Sequence, residues 1–245
     1  MTHTHATPAR SFTGCLLTIV FLIAAAAADA QHQHPAPDAR PGHMEHRFED
    51  AEAYARRFDD PARDAWQQPE RVIEVLRLHE GMSVADIGAG TGYFSVRLAR
   101  HPSAPRVYAA DIEPSMVDYL TARAAREQLP GIVPVHASAD SSNLPAPVDL
   151  VLVVNTYHHI PNRVEYFSRL QRSLTASARV AIIDFRKESP EGPPVHVRFT
   201  PEQIAGELRQ AGFELETTHD FLPRQHFLIF RTTPYGRGPS PHERD

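Results

Sequence analysis

From residue 83 to residue 231 the chain alternates short apolar runs with amphipathic ones, and this alternation constrains its fold more than any other feature. Strand-length apolar runs occupy Ser83–Ile87, Arg106–Asp111, Ile132–His136, Val148–Asn155 and Arg179–Phe185. Helical patterns lie between them at Gly92–Arg100, Ser115–Gln128 and Asn162–Leu174; in the last, Val164, Phe167, Leu170 and Leu174 share a face. Strands joined through helices run parallel, and helices on both sheet faces explain why the strands read as near-continuous apolar runs. Thr200-Pro201-Glu202-Gln203 is a capping box with proline at the first helical position. The helix it opens carries Ile204 and Leu208 and stops at Gly212. Phe213–Thr217 and His226–Arg231 follow with no helix between them, so they pair antiparallel.

The pattern predicts an α/β, Rossmann-like, doubly wound and mostly parallel seven-stranded sheet over residues 71–233, with an antiparallel strand near the C-terminus. A helical cap is expected over residues 47–70. Phe48, Ala51, Tyr54, Ala55 and Phe58 fall at helical spacing, and Pro61 and Pro69 punctuate the segment. Tyr54, Phe58 and Trp66 then form either a lid over the sheet's crevice or the core of the cap itself.

The ends of the chain read differently. Arg10 precedes an apolar run that begins at Cys15, and Ala28-Asp29-Ala30 fits a small-x-small cleavage site. Residues 1–30 are therefore expected to be a signal peptide cut before Gln31, placing the protein outside the cytoplasm, with an inner-membrane anchor as the alternative. The run spans about 20 Å as a helix against a hydrocarbon core of roughly 30 Å, which favours cleavage. Cys15 is the only cysteine, so a cleaved chain has neither disulfides nor thiolate ligands. Residues 31–46 are rich in His and Pro and lack periodicity, as are 234–245 in the latter respect, so both are expected to be disordered. His32, His34, His43 and His46 lie on such a segment without supporting carboxylates, and no metal site is expected. Net charge is −5 with no long basic run, which argues against a nucleic-acid partner.

The first strand runs into "DIGAGTGYF", whose glycines are Gly88, Gly90 and Gly92. A dinucleotide fingerprint needs its third glycine one position later, where Tyr93 stands, and a phosphate loop needs a Gly-Lys-Ser/Thr that is missing. The loop thus lets backbone approach a ligand closely, and the helix it opens favours a small anion such as a carboxylate. Asp111 ends the second strand about 20 residues on, where a carboxylate accepts from ribose hydroxyls. Asp140 follows the third strand and is positioned to accept from an exocyclic amine. Together these residues suggest a nucleoside that bears a carboxylate and no phosphates.

"VADIGAGTGYF", "VYAADIEPSM" and "ASADSSNLPAPVDLVLVVNTYHHI", in that order, resemble the motifs of class I S-adenosylmethionine-dependent methyltransferases. The resemblance covers about residues 71–231. It implies S-adenosylmethionine as cofactor: Asp86, Gly88, Ala89, Gly90 and Gly92 at its methionine part, Asp111 and Ile112 at ribose and adenine, Ala139 and Asp140 at the adenine amine, and Asn155 at the crevice. It departs from the family at "LTASARV" (Leu174 to Val180), where many members have a Pro-Gly-Gly turn, so a different turn is expected there.

Methyl transfer from a sulfonium needs orientation above all, and a base only where the acceptor is protonated. Tyr157, His158 and His159, just after the fourth strand, are the candidates, and adjacent histidines point in different directions. The implied activity is methyl transfer to a small-molecule acceptor. Two alternatives remain at this level: an exported module that binds adenosyl metabolites without turnover, and a nicotinamide oxidoreductase with a degenerate fingerprint.

Overall fold

The computed structural model describes residues 51–233. The expected signal peptide, the His/Pro-rich linker, residues 47–50 of the cap and the C-terminal tail lie outside these residues.

Seven strands form one sheet in the order β3-β2-β1-β4-β5-β7-β6. They are β1 (Ser83–Ile87), β2 (Arg106–Asp111), β3 (Ile132–His136), β4 (Val148–Val154), β5 (Leu174–Phe185), β6 (Phe213–His219) and β7 (Gln225–Thr232). β1 to β5 are mutually parallel, and β7 runs antiparallel to both β5 and β6. The chain winds outward from β1 to β3, then returns to place β4 on the other side of β1. The crevice beyond the carboxyl ends of β1 and β4 is therefore the topological switch point, where ligands bind in open sheets of this kind.

The helices around the sheet are α1 (Ala51–Phe58), α2 (Asp64–Gln67), α3 (Pro69–Leu76), α4 (Tyr93–Ala99), α5 (Pro114–Arg126), α6 (Arg163–Leu170) and α7 (Pro201–Gln210). Along β4, Leu150, Leu152 and Val154 enter a core with Val72, Leu76, Phe94 and Leu98, whereas Val151 and Val153 enter another with Phe167, Ile204 and Leu208. Two dry faces need apolar residues on both sides, which is why this strand reads as an apolar run interrupted only by Asp149 near its start. Each such side chain, fully buried, contributes about 1.5–3 kcal/mol. The capping box of α7 forms as expected, with Gln203 N–H donating to the Thr200 hydroxyl and Thr200 N–H to the Gln203 side chain.

Two expectations need correction. The helical pattern over 162–174 ends earlier: α6 stops at Leu170, a 3-10 turn covers Gln171–Ser173, and Leu174 already belongs to β5. "LTASARV" is thus strand rather than turn, with a bulge: Val148 pairs with Leu174, but Leu150 pairs with Arg179. Extra residues on one strand leave the ladder and re-aim the rest. The cap is broken by its prolines, as predicted, and Gln68 in the left-handed region (φ 44°) separates α2 from α3.

Candidate active site

Four strand ends deliver the polar residues of the crevice. Asp86 lies near the end of β1 and the glycine loop follows it, Asp111 ends β2, Asn155 follows β4, and Asp184 lies near the end of β5. Gly88 N–H and Ala89 N–H both donate to the Ala110 carbonyl, at 2.8 and 3.1 Å, which ties the loop to β2. A side chain at Gly90 would begin 3.4 Å from the Phe58 ring, so the cap closes over the loop. Of the two roles open to the cap aromatics, Phe58 therefore takes that of a lid. Tyr54 packs on Phe58, and Trp66 reaches the Phe185 ring at 5.8 Å.

Asp111 is buried and accepts Gly90 N–H at 2.7 Å and Glu113 N–H at 3.0 Å. Burial raises its pKa, against the pull of those two donors. A carboxylate offers about four acceptor sites, so two remain for hydroxyls. Ile112, beside it, is 50% exposed, unusual for isoleucine and suited to a flat apolar ring.

Asp86 lies deeper, accepting the Ser95 hydroxyl from α4 at 2.6 Å. Burial lifts its pKa to about 6; Ser95 opposes the lift and the Asp111 charge adds to it. The folded protein therefore holds a proton on Asp86 that the unfolded chain releases above its ordinary value of 3.8, so stability falls as pH rises from about 4 to 6. The ligand-free Asp86→Asn variant is expected to exceed the wild type in stability by about 2–3 kcal/mol at pH 7. The gain should vanish below pH 4. Urea unfolding at both pH values checks this, and a pH-independent difference would contradict it.

The histidine pair occupies a 3-10 turn, Tyr157–His159. His158 is buried, and both its backbone N–H and its Nδ1 meet the Asp184 carboxylate, at 3.1 and 2.9 Å. The carboxylate facing Nδ1 selects the tautomer that donates from Nδ1, in which Nε2 is the ring's acceptor. The His159 ring lies 4.2 Å from the His158 ring. Tyr157 is fully buried among Phe167 and Phe199, and its hydroxyl donates to Glu207 on α7. Its burial in the core removes it from the candidates for base.

The remaining candidates fall in two groups. Asn155 is at the crevice, in the left-handed region, with its side-chain carbonyl accepting from Gln225. Asp140 is turned outward instead: 71% of its side chain is exposed, and it meets Arg169 at 2.9 Å and the Ser138 hydroxyl at 2.8 Å. The α6 guanidinium claims its carboxylate, and Ala139 beside it is also exposed.

Sequence reasoning missed Asp184, Arg63, Gln67 and Gln225. Arg63 donates to Gln67, Gln67 to Gln225, and Gln225 to Asn155, which makes a chain from the cap to the crevice. Gln67 and Gln225 are 158 residues apart, so no local pattern marks them as partners. Among the described residues no group of three His, Cys, Asp or Glu side chains is placed to hold a metal ion.

Residues 84–177 match the family model described as a methyltransferase domain. A malonyl-[acyl-carrier protein] O-methyltransferase of Halorhodospira halophila is 30% identical over 67% of this chain and 51% of its own length. A 27-O-demethylrifamycin SV methyltransferase of Amycolatopsis mediterranei is 26% identical over 62% of this chain and 61% of its own length. The chain thus spans about half to three-fifths of these curated relatives. The crystal structure of a SAM-dependent methyltransferase from Aquifex aeolicus superposes with a TM-score of 0.69 at 25% identity, covering 74% of this chain and 98% of that one.

Proposed function

We propose, from the chain's membership of the class I S-adenosylmethionine-dependent methyltransferase family, that it transfers a methyl group to an oxygen of a small-molecule acceptor, with His158 as base. The observation that carries the base is the buried Asp184–His158 pair at the carboxyl ends of β4 and β5. The relatives' names, an O-methyltransferase and a 27-O-demethylrifamycin methyltransferase, support oxygen as the atom modified. Those names also favour turnover over a silent binding module, and the family match sets the nicotinamide reading aside.

The residues present fit the cofactor. The glycine loop offers close backbone approach, Asp111 keeps two acceptor sites in reserve, and Ile112 presents an uncovered apolar face. S-adenosylmethionine, when bound, supplies a methyl group on a positively charged sulfur. The protein's part is to orient the acceptor oxygen, exclude water and take its proton at His158 Nε2. Orientation of this kind is worth roughly 7–11 kcal/mol. Phe58 and Trp66 from the cap cover the crevice, and Asp184 holds the His158 ring in place.

Calorimetry with S-adenosylmethionine and S-adenosylhomocysteine tests the reading, followed by methyl transfer to a panel of small hydroxyl compounds. Asp111→Ala is expected to weaken cofactor binding by about 1–3 kcal/mol, since buried ribose hydroxyls lose their acceptor. Unchanged affinity in the folded variant, or tighter binding of a nicotinamide dinucleotide by the wild type, would refute it. Export, proposed from residues 1–30, is tested by N-terminal sequencing of protein recovered from a Gram-negative host: Gln31 is the expected first residue, and an intact Met1 in the cytosol would overturn it.

A further inference from the structure

Residues 186–199 join β5 to α7 and hold only one short 3-10 turn, Val195–Val197. Irregular stretches of that length inside a compact domain are usually functional. The loop begins two residues after Asp184, the partner of His158, which places its start at the β5 edge of the crevice. Arg198 sets its shape and is only 8% exposed. The Arg198 Nε donates to the Pro193 carbonyl at 2.7 Å, and Nη1 meets the carbonyls of Arg186, Lys187 and Ser189, at 3.1, 3.1 and 2.6 Å. A buried guanidinium is costly unless its donors are met, and here the main chain of the loop meets those of Nε and Nη1. The loop is thus wound around one cation. Further contacts fix it to the sheet and the cap. Arg186 N–H donates to the Arg224 carbonyl and Arg186 Nε to the Gln225 carbonyl, both at 2.9 Å. The Arg224 Nη1 returns to Glu191 at 2.7 Å. Gly192, at φ 117°, lies so close to Phe185 that a Cβ would stand 2.7 Å from its ring, and the same ring meets Trp66 of the cap at 5.8 Å.

We propose that Arg198 is a positioning residue for the methyl acceptor: it holds loop 186–199 as a preformed wall at the β5 edge of the crevice, against which the acceptor hydroxyl is brought to His158. The proposal rests on the methyl-transfer reading above. Orientation is the protein's main contribution to such a transfer, and a wall ordered beforehand spares the entropy of ordering it on binding. Pro190, Pro193 and Pro194 stiffen the same stretch. The bonds of Arg198 go to main chain, so it acts through the loop rather than on the acceptor. None of the bonds that shape the loop reaches the glycine loop or Asp111, so the wall serves the acceptor and not the cofactor.

Lys187 is the only lysine of the chain and is exposed, so a lysine-specific protease cuts only within this loop and reports its order. Arg198→Ala, in the full chain, is expected to speed that cut by about tenfold or more, since cleavage follows the population of the opened loop. It should raise KM for the fastest acceptor of the hydroxyl panel by about tenfold to a hundredfold, with a smaller fall in kcat, as for a lost binding surface. Affinity for S-adenosylhomocysteine, measured by calorimetry, should stay as in the wild type. An unchanged cut overturns the proposal, as does an unchanged KM in a variant that is cut faster, or a loss of cofactor affinity equal to the rise in KM. Should Arg198→Ala fail to fold, as a thermal melt would show, Gly192→Ala presses on Phe185 with Arg198 in place and is read the same way: a raised acceptor KM with intact cofactor binding supports the wall, and an unchanged KM overturns it. A wild type that binds cofactor but methylates nothing in the panel refutes the transfer reading, and the wall with it.

Discussion

Replacing His158 with alanine is expected to lower kcat by about 10²- to 10⁴-fold, the usual contribution of a positioned base. Cofactor affinity should change little, because the ring is held by Asp184 on β5 and, among the described residues, no hydrogen bond joins it to the glycine loop. Asp184→Asn tests the positioning of the same ring. An amide cannot serve as the carboxylate does toward both the His158 N–H and its Nδ1, and the imidazole loses the group that fixes its tautomer. The variant should lose kcat with KM for the cofactor unchanged, and nitrogen-15 shifts of the His158 ring should show the altered tautomer. A His158→Ala protein with full kcat would remove the base from the mechanism and leave orientation as the whole of the catalysis. A kcat loss in Asp184→Asn without a change in the ring spectrum would make Asp184 merely structural.

The second large effect is expected at Gly88. Its φ of 72° lies in the left-handed region, and a Cβ there would stand 2.2 Å from Thr156 Oγ1 and 2.8 Å from Thr156 Cβ. Neither side can retreat easily: β1 and β4 are paired residue by residue just below, and the Thr156 hydroxyl is bonded to the Val154 carbonyl. Left-handed backbone costs a non-glycine residue about 1–2 kcal/mol, and overpacking adds about 1–3 kcal/mol. Gly88→Val should therefore destabilise the fold by several kcal/mol and abolish cofactor binding. Gly206 in α7 is the matched control, with nothing within 4 Å of its missing Cβ. Gly206→Ala should stabilise by up to about 1 kcal/mol. Urea unfolding of both variants decides the matter, and equal, small effects would mean that the loop is not sterically determined.

The sheet was readable from the sequence because burial on both faces leaves a local trace. Val148 to Val154 are apolar at nearly every position, and β1, β2 and β3 begin and end at the predicted residues. The place of the candidate cofactor residues was readable for a related reason: Gly88, Gly90 and Asp111 are confined to strand ends by topology, so their spacing along the chain records that they meet at one end of the sheet. The bulge in β5 left no such trace, since the apolar content of "LTASARV" suits a helix end as well as a strand.

What the tertiary structure alone decided are the pairings between distant segments. Asp140 has the right position in the motif, but Arg169 on α6 turns its carboxylate outward. Tyr157 and His158 are neighbours in sequence, yet Glu207 draws one into the core and Asp184 holds the other at the crevice. Arg198 gathers the carbonyls of Arg186, Lys187, Ser189 and Pro193 only because the loop after β5 folds back on itself. Period and spacing report burial and strand ends because these are local to one element. An ion pair depends on which of two acids lies nearer in space, and that is set only when cap, sheet and helices have packed.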